Sequence, residues 1–102
     1  MAERLSPSVE RAVAVALASG LPYVGLRDRI PDPRLFAYVS LALARSDRVL
    51  PIALEDDRLL VVCDHADPRL DAVIEAFPSL RIDVAIAARE EIDRALAAVE
   101  AG

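Results

Sequence analysis

The chain has 102 residues, a net charge of −5, 55% hydrophobic residues and 4% aromatic residues. That is room for one domain and apolar content enough for a core. An acidic chain without Trp lacks the basic groove and stacking rings of a nucleic-acid binder. One Cys excludes an internal disulfide and a Cys-built zinc site. Only Gly20, Gly25 and Gly102 occur, so no glycine-rich phosphate loop can form. No apolar run reaches the eighteen or so residues of a membrane span. No signal-peptide pattern opens the chain, and a cytoplasmic location is expected. Neither nucleic acid nor membrane insertion is expected, and no cofactor. The charge is uneven: residues 1–51 hold 7 Arg and 5 acids, residues 52–102 hold 5 Arg and 12 acids.

Ser6-Pro7 is a cap-plus-proline signal, and a helix with Val9, Val13, Ala16 and Leu17 on one face should follow. Gly20 and Pro22 stop it. Tyr23 to Leu26 reads as a short extended edge segment, and Arg27 to Pro31 as a polar connection. Asp32-Pro33 opens a second helix, with Leu35, Val39, Ala42 and Leu43 as its stripe, ending near Ala44 or Arg45. Val49–Leu54 and Arg58–Cys63, joined by Glu55-Asp56-Asp57, read as a hairpin. Pro51 marks the first strand as an edge or a bulge. Leu59 to Val62 is continuously apolar, as in a strand buried on both faces. Asp67-Pro68 should cap a third helix, with Leu70, Val73, Ile74 and Phe77 on its apolar face. Arg81 to Ala87 alternates as a half-buried strand. Glu90 and Glu91 suit the start of a last helix with Ile92, Leu96 and Val99 as its stripe.

The predicted order is α-α-β-β-α-β-α, an α+β (two-layer α/β) domain with a three-stranded, mainly antiparallel sheet packed by helices. The third strand is expected beside the first and antiparallel to it. Leu59, Val61, Ile74, Phe77, Val84, Ile86 and Leu96 are expected in the core. The chain reads as one domain over 1–102, helical over 1–45 and α/β over 46–102.

Three groups could carry chemistry. Asp64, His65 and Asp67 could ligate a metal ion, but three ligands on neighbouring loop positions seldom converge. No metal site is therefore expected. Cys63 with His65 could make a thiol nucleophile, but nothing suggests an oxyanion hole, so Cys63 reads as a small core residue. No catalytic residue is assigned. Arg27, Arg29, Arg34, Arg45 and Arg48 make the N-terminal half basic, interleaved with Asp28, Asp32 and Asp47. Phe36 and Tyr38 lie off the main stripe of the second helix. Aromatic and Arg side chains concentrate binding energy at interfaces, so these seven residues form the candidate interaction set. An acidic, partly apolar partner, or a second copy of the chain, would suit it.

The run Gly20-Leu21-Pro22-Tyr23-Val24-Gly25-Leu26 resembles the "GLPYVDL" entry of the N-terminal domain of type II secretion and type IV pilus assembly ATPases. Ala44 to Leu54 resembles that domain's "A-R-R-H-R-V-L-P-L" strand entry. Asp57 to Val62 resembles its "G-R-L-L-V-A", Asp67-Pro68 its "A-D-P", and Ala88 to Ile92 its closing "A-x-E-E-I". The likeness runs in order from about Leu5 to Val99. It implies a non-catalytic adaptor that recruits a motor ATPase to an inner-membrane assembly protein, with that protein or its own ATPase as the partner. Some relatives bind cyclic di-GMP through a repeated pattern that starts Arg-Leu-Gly and continues to Gln-Leu. Here Ser6 follows Arg4-Leu5, Val9 or Glu10 stands at the Gln position, and a second copy has no room. A cyclic di-GMP sensor is the alternative reading, and a small Cys/His enzyme the second alternative.

Overall fold

The computed structural model describes residues 6–27 and 29–101. The elements are α1 (Pro7–Ser19), a 3-10 helix (Pro33–Ala37), α2 (Leu41–Asp47), β1 (Leu50–Glu55), β2 (Arg58–Cys63), α3 (Asp71–Ala76), β3 (Arg81–Ile86) and α4 (Arg89–Ala101). The α+β class and the element order agree with the sequence reading.

The sheet order is β1-β2-β3, a mixed sheet. β1 pairs antiparallel with β2 through a tight hairpin at Asp56-Asp57, with an irregularity between Pro51 and Ala53. β3 pairs with β2, not with β1, and runs parallel to it in the register Leu59↔Ile82, Val61↔Val84, Cys63↔Ile86. The expected antiparallel partnership with β1 is therefore corrected on both neighbour and direction. The chain between β2 and β3 passes through α3 and returns to the start of β2, and such a crossover lays the next strand down parallel. The apolar run of β2 carries the same information: it is the central strand, and Leu59, Val61, Val62 and Cys63 are fully buried. The free edge of β3 is met at its end by Pro22–Val24. Ile86 N–H donates to Pro22 O at 2.7 Å, and Val24 N–H donates to Ile86 O at 2.8 Å. The extended segment at Tyr23 is thus an edge piece, as its sequence suggests.

Four further expectations shift. α1 is capped by the Ser6 side chain, which accepts from Val9 N–H, and it ends on left-handed Gly20. Its buried residues are Ala12 and Ala16, and Leu17 is 80% exposed. The inward face is rotated towards the alanines, whose small side chains allow α1 to approach β3 and α4 closely. The second helix is two helices. Ser40 accepts from Leu43 N–H at 3.1 Å and starts α2 afresh, so the first segment closes as a 3-10 turn at Ala37. Asp67 does not cap α3, which begins at Asp71 without a side-chain cap. The preceding segment is tied elsewhere, since Arg69 N–H donates to Asp47 Oδ2. Ile74 is 52% exposed, not core. With only six residues, α3 presents one turn to the core, which Val73 and Leu70 fill. Phe77 and Val84 are partly buried against the core, while Leu59, Val61, Ile86 and Leu96 are buried as expected.

Because Leu17 meets solvent on the outer face of α1, Leu17→Glu is expected to change unfolding free energy by less than about 0.5 kcal/mol. Chemical denaturation checks this, and a loss above about 2 kcal/mol would show a buried face instead.

Candidate interaction surface

The described residues 24–27 and 29–32 follow the sheet edge, and the segment is held at its root. Leu26 is buried, and its N–H donates to Glu91 Oε1 at 3.0 Å. The first turn of α4 therefore anchors the loop, a second use for the carboxylates that the sequence places at that helix start. Beyond the anchor, Arg27 adopts a left-handed φ of 48°, and Arg29 N–H turns back to Leu26 O at 2.7 Å. Arg27 and Arg29 are exposed, Ile30 is 62% exposed, and Pro31 is buried beneath. Ile30 was not singled out by its sequence context. Its only signal is an aliphatic residue in a segment without helix or strand periodicity.

Asp32 caps the 3-10 helix and clamps Arg34. Its Oδ1 accepts from Arg34 N–H at 3.0 Å, and its carboxylate accepts from Arg34 Nε and Nη2, the latter at 2.7 Å. These side-chain hydrogen bonds, with the backbone one, hold the Asp32 carboxyl down to about 2. The same bonds raise Arg34. The pair is solvent-exposed, so it fixes local geometry more than it stabilises the fold. Arg34 and Tyr38 line one wall of a cleft of about 580 Å³, with Ile52, Ala53 and Leu54 of β1 opposite. The Tyr38 ring packs on Phe77 at a centroid distance of 5.0 Å and a tilt of 55°. Phe36 is half-buried against the core.

Arg45 and Arg48 are placed differently. Arg45 pairs with Glu100, and Arg48, left-handed at φ 51°, pairs with Asp93 at 3.2 Å. Both acids lie on α4. These two arginines tie α2 to the last helix, while Arg27, Arg29, Arg34, Phe36 and Tyr38 belong to the 24–38 segment. The sequence could not separate the groups, because the pairing acids lie forty-five and more residues away.

A second cleft, also about 580 Å³, is lined by Pro7, Ser8, Arg11, Ala12, Asp64, His65, Ala87 and Arg89. It lies at the C-terminal ends of the parallel strands, where helix starts converge. Ser6 Oγ donates to Glu90 Oε1 at 2.7 Å, and Glu90 N–H donates to Ser8 Oγ at 3.3 Å. Asp64 and His65 stay together here, with His65 Nδ1 at 2.8 Å from Asp64 Oδ1. The second carboxylate at the ring is Asp47, at 3.4 Å from Nε2, and not Asp67. Among the described residues, no three His, Cys, Asp or Glu side chains converge to hold a metal ion. Cys63 is fully buried, and its thiol donates to His65 O at 2.9 Å. Burial pushes that thiol up to about 11. At neutral pH it is a thiol rather than the thiolate that nucleophilic chemistry needs. The His65 ring meets Asp64 and Asp47, and among the described residues the Cys63 thiol bonds backbone oxygens, those of His65 and Ala85.

No helix among the described residues is long and apolar enough to cross a membrane. No curated protein matches the chain. Solved structures share its fold, among them an XpsE domain and MshE. The N-terminal domain of XpsE is 24% identical with a TM-score of 0.66, covering 88% of this chain and 64% of that one. MshE with cdg (cyclic di-GMP) is 22% identical with a TM-score of 0.74, covering 93% of this chain and 69% of that one. This chain thus spans about two thirds of each. The MshEN domain description matches residues 19–102. The chain belongs to the MshEN domain family, in agreement with the resemblance of its residues to the N-terminal domains of type II secretion and type IV pilus ATPases.

Proposed function

We propose that this domain is a non-catalytic interaction module on the cytoplasmic side of the inner membrane, linking a secretion or pilus motor to a membrane assembly protein. The observation that carries the reading is the 24–38 segment: solvent-facing Ile30 stands among exposed Arg27, Arg29 and Arg34, with Phe36 half-buried beside them. An aliphatic residue rimmed by arginines, next to a half-buried aromatic ring, has the composition of a binding hot spot. An acidic, partly apolar protein surface complements it. Family membership supports the same reading. Arg45 and Arg48 are left out of the binding set, because α4 already holds them. The experiment is titration of the domain against the cytoplasmic part of an inner-membrane secretion or pilus assembly protein from the same cell. Saturable binding is expected, and none with Ile30→Asp.

The neighbour solved with cyclic di-GMP makes a second-messenger role the specific competitor. The reading against it rests on Ser6 and on Val9 or Glu10, which stand where the pattern needs Gly and Gln. Arg4 and Leu5, the pattern's opening, lie outside the described residues. Calorimetric titration with cyclic di-GMP, ATP and zinc is expected to give no binding at micromolar concentration. Micromolar affinity for cyclic di-GMP would replace the adaptor reading with the sensor one.

A further inference from the structure

We propose that the domain binds a second copy of itself, the outer face of α3 on one copy covering the arginine-rimmed Ile30 of the other. The self-contact rests on the reading of the segment around Ile30 as an interaction surface, and it adds a second surface of matching chemistry. Three large aliphatic side chains are exposed among the described residues: Leu17, Ile30 and Ile74. Single exposed aliphatics are ordinary on a folded domain. What sets two of these apart is the charge around them. Ile30 stands beside exposed Arg27 and Arg29, whereas Ile74 stands beside exposed Asp71 and Glu75. No charged residue lies within four positions of Leu17.

The acidic face follows from the way α3 docks. Leu70 and Val73 are buried and Phe77 is half-buried, so the opposite side of the helix carries Asp71, Ile74 and Glu75. These stand at i, i+3 and i+4, which makes them neighbours in one patch. The ion pairs among the described residues leave both of its carboxylates unclaimed. The β1–β2 turn is also acidic. There, however, Asp57 faces Arg81, the nearby Asp83 faces Arg58, and no large aliphatic is exposed. On the basic side, Asp32 is taken up by Arg34, so Arg27 and Arg29 are the cations next to Ile30.

When the two surfaces meet, one aliphatic side chain covers the other and both leave water, while carboxylates face guanidinium groups. The net charge of −5 repels copies at long range, so only this local match favours the contact. The contact is therefore small and belongs with weak, transient interfaces. An acidic assembly protein needs the same Ile30 surface. Self-association thus masks that site, and the partner competes the second copy away.

Sedimentation equilibrium of the full chain tests this from about 10 μM to about 1 mM, the range of a weak contact. The weight-average mass should rise with concentration above that of a single chain. Ile74→Asp and Ile30→Asp should each stay at the mass of a single chain, because every copy then lacks one of the two surfaces. Mixed in equal amounts they should associate again, since the first keeps Ile30 and the second keeps Ile74. Glu75→Arg, which leaves the core untouched, should weaken association of the wild-type pattern severalfold. Circular dichroism serves as the folding control. Ile74→Asp should still bind the assembly protein. A wild type that stays at the mass of a single chain across the range would overturn the self-contact, and saturable binding of the assembly protein would then leave the adaptor reading standing. Undiminished association of Ile74→Asp would also overturn it, as would mixed variants that remain single chains. Copies that associate as expected while no assembly protein binds would uphold the self-contact and remove the adaptor reading.

Discussion

Leu59→Ala is expected to cost about 2 to 5 kcal/mol of folding free energy. Leu59 sits on the central strand, in register with Leu54 on one side and Ile82 on the other, and it is fully buried. Truncation removes transfer free energy and leaves a cavity that neighbours on both flanking strands cannot close, because each is fixed by its own ladder. A domain of this size has about 5 to 15 kcal/mol in total, so the loss is a large share. Leu60, one residue on, points to the opposite face, where it is half-exposed beside Arg58 and Asp83. Leu60→Ala should cost about 1 kcal/mol. Urea unfolding of the two variants checks the alternation directly. Equal losses would mean that the two faces of β2 are equally covered.

Much of this fold is legible from the residues. Ser6-Pro7, the Gly20 stop, the irregularity at Pro51 and the apolar run of β2 each predict a local feature that forms. What eluded the sequence has physical causes. The partner of β3 depends on the path of the crossover, and a half-buried alternating strand fits beside either neighbour equally well. Ser40 reads as a helix interior residue until its hydroxyl is seen to cap Leu43. Ile74 lies on the stripe, but a six-residue helix buries a single turn. The candidate interaction set rests on residue types, and the sequence carries none of its geometry. Nothing local distinguishes Arg34, clamped by its neighbour Asp32, from Arg45, which reaches Glu100 on the last helix. His65 was visible beside Asp64, whereas Asp47 is brought to it by the fold alone.

The second large effect concerns binding. Arg34→Glu combined with Phe36→Ala is expected to weaken the partner complex by about 2 kcal/mol or more. The Arg34 side chain is 90% exposed, and its pair with Asp32 is exposed, so reversing its charge costs the fold little. The reversed charge would sit beside Asp32 and repel an acidic partner. Phe36 supplies ring area at the margin of the core, where part of the side chain reaches solvent. Reversing Arg45 and Arg48 is not an equivalent test, because it breaks the tie between α2 and α4.

The most direct measurement is calorimetric titration of the wild type and the Arg34→Glu, Phe36→Ala variant against the cytoplasmic part of the proposed inner-membrane assembly protein. Circular dichroism serves as the folding control. The account predicts saturable binding by the wild type and an affinity lower by about thirtyfold or more in a folded double variant. Equal affinities of two folded proteins would contradict it.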